Sequence, residues 1–217
     1  MTQFAIIFDL DGTLIDSESI AHIAWERALR HFGKQFTTEH EPLMLGVQLA
    51  IAIENVKRHF ALSEPIDEIF KVLEIEWRDL TQHGLPTMPS VNILLDTLDQ
   101  RGIPWGVATN SEHAYAAHHL SNVQLDTRAQ AIVGCDDVAN PKPAPDVFVQ
   151  CAKLLGVAPA NCIAVEDSQV GYQAAAASGM MVVVVGEEAN SAEFPLAHHI
   201  FPSLHQFLDE LDNILPN

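Results

Sequence analysis

Two carboxylates one residue apart, Asp9 and Asp11, close the apolar run Phe4-Ala5-Ile6-Ile7-Phe8. Three further polar clusters punctuate the chain: Thr109-Asn110, Lys142 and Glu166-Asp167. An acid at the end of a strand often does nothing more than cap a helix. Four such clusters, rich in carboxylates and holding one lysine, ask for more than capping, because gathered carboxylates repel unless a cation is bound or protons are retained. Hard oxygen donors of this kind select Mg²⁺ or Ca²⁺. The Asp-x-Asp spacing does not open an EF-hand loop, since position five is Thr13 and a strand pattern precedes it. A P-loop, a Gly-x-Ser-x-Gly elbow and a Gly-x-Gly-x-x-Gly fingerprint are absent from the sequence.

Such clusters need a scaffold that brings them to one edge. The run from Phe4 to Phe8, β-branched and aromatic, reads as a strand buried on both faces at the centre of a parallel sheet. Its acids then stand at the carboxyl end, where open α/β sheets bind their ligands. Further strands are expected at Pro104 to Ala108, Ala131 to Val133, Cys162 to Val165 and Met181 to Val185, with helices from Ser90 to Arg101, to about Leu120, to about Leu155 and from Val170 to Ser178. Ser203 to Ile214 reads as a closing helix. Each polar cluster follows one of these strands or opens one of these helices. Between residues 17 and 85 the pattern is helical only: Ser19 to Phe32, Pro42 to Phe60 and Pro65 to His83. Ile66, Ile69, Phe70, Leu73, Trp77 and Leu80 recur at three- and four-residue spacing, the stripe of a helix facing a core. Asp16 and Ser17 are placed to cap the first of these helices. Gly84 to Pro89 reads as the return linker.

Composition sets the outer bounds. At 217 residues, 48% of them hydrophobic, the chain can bury a substantial core. No apolar run approaches the roughly 18 residues of a membrane span, and no signal-peptide pattern opens the chain, so a cytoplasmic protein without membrane contact is expected. A net charge of −18, from 29 acids against 11 lysines and arginines, argues against a nucleic-acid partner. A small anionic substrate would need a bound cation and well-placed lysines to overcome the general field. Cys135, Cys151 and Cys162 have no metal-ligand spacing and are expected to be small buried residues. His118-His119 and His198-His199 lack a partner acid at metal spacing.

Asp9-Leu10-Asp11-Gly12-Thr13-Leu14, Thr109-Asn110, Lys142-Pro143-x-Pro145-Asp146 and Glu166-Asp167-Ser168 resemble, in order, the four motifs of the haloacid dehalogenase-like superfamily. The insertion after the first motif resembles the helical cap of its β-phosphoglucomutase-like phosphatases. The resemblance spans residues 4 to 186. It implies an α/β fold, a three-layer Rossmann-like parallel sheet core of residues 1–15 and 86–217, with a helical cap of residues 16–85 inserted after the first strand. It further implies Mg²⁺ held by Asp9, the Asp11 carbonyl, Asp167 and Glu166. In that likeness Asp9 is the nucleophile that takes the phosphoryl group, and Asp11 the acid and then base. Thr109, the Asn110 amide and Lys142 hold the phosphoryl oxygens.

Among the reactions of the superfamily, dehalogenation would need neither a second aspartate nor a metal site, yet Asp11 and Asp167 are present. Related mutases carry a His in the first cap helix and an Arg after a Leu-x-Gly-Val segment. Here those places fall to Ala21, with His22 displaced by one, and to Gln48 or Leu49 after Leu45-Gly46-Val47. Hydrolysis of a small phosphorylated metabolite, such as a sugar phosphate, is therefore expected, with a phosphomutase as the alternative. A catalytically silent binding protein is disfavoured because every chemical group is retained. Specificity is expected in the cap, around Asp16-Ser17-Glu18 and Met44 to Ala52. Lys57 and Arg58 are expected to be a solvated pair, and the protein a monomer.

Overall fold

The computed structural model describes residues 4–44, 47, 49–187 and 189–215. The chain divides into two compact units, Met1–Ile15 with Pro86–Asn217, and Asp16–Leu85.

The first unit is built on a six-stranded, all-parallel sheet of β1 (Ala5–Phe8), β2 (Trp105–Ala108), β3 (Ile132–Val133), β4 (Cys162–Glu166), β5 (Met181–Val185) and β6 (His199–Phe201), in the order β3-β2-β1-β4-β5-β6. The four side chains of β1 are fully buried, as a near-continuous apolar run requires of a central parallel strand. Fully burying an Ile or Phe there contributes on the order of 2 kcal/mol. Phe8 pairs with Val107 on one side and with Val165 on the other, so the next residues along the three strands are Asp9, Ala108 and Glu166. β1 is the point at which the strand order reverses, the place where such sheets bind ligands. β6 was not expected from the sequence: three half-buried residues are too few to show an alternating or continuous pattern.

Past β1 the backbone folds back on itself. Leu14 N–H and Ile15 N–H both donate to the Leu10 carbonyl, at 2.8 and 3.0 Å, and Gly12 N–H to the Ile15 carbonyl at 2.9 Å. Gly12 sits at φ +78°, a conformation that glycine alone adopts without strain. Ile15 then forms an antiparallel bridge with Thr87, and Met88 N–H donates to the Leu14 carbonyl at 3.0 Å. The two crossings of the chain out of this unit and back are thus paired backbone to backbone.

In the Asp16–Leu85 unit, α1 (Ser17–His31) is capped by Asp16, whose carboxylate accepts from Ser19 N–H at 3.1 Å, so the helix starts two residues before the expected Ser19. α2 (Leu49–His59) is shorter than the expected Pro42 to Phe60, because Thr38–Leu43 forms a separate 3-10 segment with Pro42 inside it. Residues 45, 46 and 48 of the expected specificity segment lie outside the described residues. α3 (Ile66–Thr81) packs chiefly on α1. Its stripe is core at Ile69 and Leu73, but Ile66 and Phe70 remain 40% exposed, and Phe70 and Trp77 wall an apolar cavity of about 310 Å³ with Ala21, Trp25 and Leu49. This unit contains no strand among the described residues.

The helices of this unit are α4 (Val91–Arg101), α5 (His113–Asn122), α6 (Asp146–Leu155), α7 (Gln169–Ala177), α8 (Leu204–Asp209) and α9 (Leu211–Ile214); α5, α6, α7 and α8 pack on the strands, and α4 and α9 pack on α8. The closing helix expected from Ser203 to Ile214 is two helices, interrupted at Glu210. Cys151 and Cys162 are buried, while Cys135 is only half-buried. Among the described residues no helix is long and apolar enough to cross a membrane.

Candidate active site

Asp9 stands one residue beyond β1, its amide donating to the Val165 carbonyl of β4 at 2.9 Å. Lys142 reaches it from the loop before α6: the ammonium donates to Asp9 Oδ1 and to Glu166 Oε1, the latter at 2.6 Å. The side chains of Asp9, Lys142 and Glu166 are only 9%, 3% and 0% exposed, so the two carboxylates and their cation are matched out of water. Burial raises the Asp9 pKa against the pull of Lys142, and pushes Glu166 up to about 7. Burial disfavours the Lys142 ammonium, but Asp9 and Glu166 outweigh it and hold the lysine protonated well past its ordinary range. The ammonium also lies 5.0 Å from the centre of the Phe148 ring.

Asp167 completes a group of carboxylates. Asp9, Glu166 and Asp167 each offer one oxygen, and the three oxygens lie within 4.8 Å of one another. Thr13 Oγ1 donates to Asp167 Oδ1 at 2.9 Å. Two glycines make room for these acids: a Cβ on Gly12 would overlap the Asp167 carboxylate, and one on Gly171 the Glu166 carboxylate. Ser168 joins site to scaffold, accepting from Gly171 N–H at 3.0 Å as the cap of α7 and donating to Glu166 Oε2 at 3.2 Å. Three carboxylate oxygens at that spacing could hold a hard divalent cation such as Mg²⁺.

The cluster after β2 faces the same edge. Thr109 is buried and its Oγ1 accepts from Ser111 N–H at 3.0 Å. The Asn110 side chain is engaged with the Lys142 backbone, accepting from its amide at 2.8 Å and donating to its carbonyl at 3.1 Å. Asp11 is half-buried, and its Oδ2 accepts from Ser111 Oγ at 2.8 Å. The loop that carries Lys142 is closed by Asp146, which accepts from the Asn140 amide and side chain at 3.2 and 3.1 Å.

All seven residues expected at the site therefore lie in one unit, and the hydrogen bonds above join Asp9 to Lys142 and Glu166, Asn110 to Lys142, and Asp11 to the segment after Thr109. Sequence reasoning missed Ser111, whose hydroxyl meets Asp11. Its signal was positional: Ser111 directly follows Thr109-Asn110. Other candidates are occupied elsewhere. Lys57 is half-buried rather than solvated, its ammonium donating to the Leu62 carbonyl at 2.8 Å and to that of Glu64. His22 Nδ1 lies 2.7 Å from Glu41 Oε1. His119 is buried, and His198 Nδ1 accepts from Val182 N–H at 3.0 Å.

A family model described as haloacid dehalogenase-like hydrolase matches residues 6–185. The chain is 33% identical over 194 residues to the fructose-1-phosphate phosphatase YqaB of Escherichia coli, covering 83% of this chain and 95% of that protein. It is 27% identical over 191 residues to the beta-phosphoglucomutase of Bacillus subtilis, covering 84% and 83% respectively. A crystal structure of a HAD family hydrolase from Deinococcus radiodurans, with bound phosphate and sodium, superposes with a TM-score of 0.85 at 25% identity, over 97% of this chain and 96% of that one.

Proposed function

The chain belongs to the haloacid dehalogenase-like hydrolases, and from that membership and the groups at its strand tips we propose that it is a Mg²⁺-dependent phosphatase of small phosphorylated metabolites, sugar phosphates foremost. The observation that carries the reading is the Lys142 ammonium shared by Asp9 and Glu166, with Asp167 within ligand distance of both acids. Asp9 attacks phosphorus and becomes an aspartyl phosphate, so one difficult displacement becomes two easier ones. Asp11 gives its proton to the leaving alkoxide, then takes one from the water that attacks the aspartyl phosphate, with release of inorganic phosphate. Thr109 Oγ1, the Asn110 amide and the Lys142 ammonium hold the phosphoryl oxygens, where charge spreads in the transition state.

Asp9, Asp167, Glu166 and the Asp11 carbonyl would hold Mg²⁺, which when bound offsets the repulsion between an anionic nucleophile and an anionic phosphate. The Asp16–Leu85 unit serves as the cap that selects the leaving group. Hydrolysis is favoured over transfer to a second sugar hydroxyl because Ala21 replaces the His of related mutases and His22 is turned to Glu41. The enzyme acts as a cytoplasmic monomer.

The test is release of inorganic phosphate from p-nitrophenyl phosphate and from a panel of sugar phosphates, with Mg²⁺ and with chelator. Turnover is expected only with the metal and is expected to vanish in Asp9→Asn. Undiminished metal-dependent turnover in Asp9→Asn would overturn the nucleophile. For the choice between reactions, hexose phosphates are incubated with a catalytic bisphosphate; isomer formation faster than phosphate release would make the protein a mutase.

A further inference from the structure

A lysine side chain is a flexible stem that ends in a point charge, so its place in a site has to be imposed from outside. The Asn110 side chain fixes the Lys142 backbone. At the other end the ammonium spends two of its three N–H groups on Asp9 Oδ1 and Glu166 Oε1. Both acids also belong to the group of oxygens that could hold a divalent cation, so their grip on the lysine is shared with the ion they bind. Phe148 stands outside that competition. Its ring face lies 5.0 Å from the ammonium, centre to Nζ, and a hard cation that seeks oxygen donors makes no claim on it. The ring itself has no freedom to follow the lysine. Phe148 is fully buried in the first turn of α6, on the face where Val147, Cys151 and Ala152 join Ala5, Ile7 and Ala108 in the core. Packing fixes the ring, and the buried lysine comes to it.

We propose that Phe148 is a positioning residue whose π face sets where the Lys142 ammonium stands, as a third support beside Asp9 and Glu166. The proposal rests on the role given to Lys142 above, in which the ammonium holds a phosphoryl oxygen. The negative face of an aromatic ring attracts a cation, and most strongly where water is excluded, as it is here. That attraction acts along a direction different from the two hydrogen bonds and fixes the charge against a rigid wall. Without it the ammonium answers to the carboxylates alone, and its remaining N–H loses its aim at the phosphoryl oxygen. Misplacement of a charged group by a fraction of an ångström is enough to slow phosphoryl transfer.

The experiment drains the π face and leaves the packing in place. Phe148 is replaced, by nonsense suppression in the full chain, with 4-fluoro-, 3,5-difluoro- and 3,4,5-trifluorophenylalanine, and with cyclohexylalanine, which keeps the bulk and has no π face. The same series is made in Lys142→Met. With Lys142 present, kcat/KM for p-nitrophenyl phosphate with Mg²⁺ should fall with each fluorine, to about tenfold down at three, and at least as far with cyclohexylalanine. In metal-free protein each replacement should lower the melting temperature more with Lys142 present than in Lys142→Met, the difference growing with the number of fluorines. A flat series in kcat/KM, or losses of equal size in both backgrounds, would overturn the proposal, because the ring would then act through packing alone. Either result leaves the reading of Lys142 standing so long as Lys142→Met itself is at least about 10²-fold down. Wild-type turnover in Lys142→Met would overturn that reading, and the proposal with it.

Discussion

The side chain of Asn110 and the backbone of Lys142 exchange two hydrogen bonds, amide to Oδ1 at 2.8 Å and Nδ2 to carbonyl at 3.1 Å. A residue at the tip of β2 thereby fixes the loop from which the lysine reaches Asp9. Asn110→Ala removes both bonds and leaves the partly buried Lys142 amide to find water. A loss of about 1–2 kcal/mol in stability is expected by urea unfolding, together with about a tenfold fall in kcat as the ammonium loses its fixed approach. Wild-type kcat in the alanine variant would show that the clamp is dispensable.

Removing the cation itself is a harsher change. Lys142→Met leaves Asp9 and Glu166 buried without a counter-charge, a loss of about 3–5 kcal/mol for a broken buried pair. Mg²⁺ should restore part of that stability in the variant, because it supplies the missing positive charge, while activity stays at least about 10²-fold down. Melting temperatures with and without Mg²⁺ check the first point, and equal metal shifts in variant and wild type would contradict it.

Gly171 has no side chain where the Glu166 carboxylate rests. In Gly171→Ala the added methyl must displace that carboxylate from Lys142 and from the Ser168 hydroxyl. The expected outcome is a protein that still folds, loses about tenfold or more in Mg²⁺ affinity and turns over slowly. Calorimetric titration with Mg²⁺ decides it; an unaltered dissociation constant would show that Glu166 has no bearing on the metal.

His119 gives stability a pH dependence of known sign. Burial, then the neighbouring His118, lowers its pKa from 6.5 to about 4, and its buried Nδ1 has no hydrogen-bond partner. The unfolded chain takes up a proton below about 6.5 that the folded chain refuses until about 4, so stability is intact above that window and is lost as the pH falls through it. At most about 3 kcal/mol is at stake. Urea midpoints are followed from pH 7 to pH 4 in wild type and His119→Phe; the wild type should lose stability relative to the variant, which has no group to protonate there. Parallel curves would remove His119 from the acid response.

Ser90 sits at φ +67° ahead of α4 and makes no side-chain capping bond. A left-handed backbone strains any residue with a Cβ by about 1–2 kcal/mol, and the extra freedom of glycine in the unfolded chain returns about 0.5–1 kcal/mol of that. Ser90→Gly is expected to raise the melting temperature slightly, and a fall would show that the hydroxyl has a role of its own.

Much of this arrangement was legible in the sequence where the pattern is local. Ile6, Ile7 and Phe8 announce a doubly covered strand, and the acids that follow it could only stand at its carboxyl end. The Ala-rich α7 and the valines of β5 are equally plain. What escaped depends on distant partners. Ser111 meets Asp11 across 100 residues of sequence, and nothing in either segment announces the other. Proline suits the first turn of a helix, yet Pro42 lies within a 3-10 segment. The α3 stripe carried the right spacing, but spacing does not say how wide a neighbouring helix will be, and Phe70 remains partly uncovered.

The bridge between Ile15 and Thr87 has a consequence for how such a chain can change. The sheet sees the Asp16–Leu85 segment only as an excursion whose two ends are already tied together. Closing a flexible loop grows more costly only with the logarithm of its length, about 0.6 kcal/mol for each doubling. An excursion of different length or sequence could leave and return through the same paired backbone at little thermodynamic expense. The Asp16–Leu85 segment is thus free to diversify, while the acids at the strand tips stay anchored on the sheet.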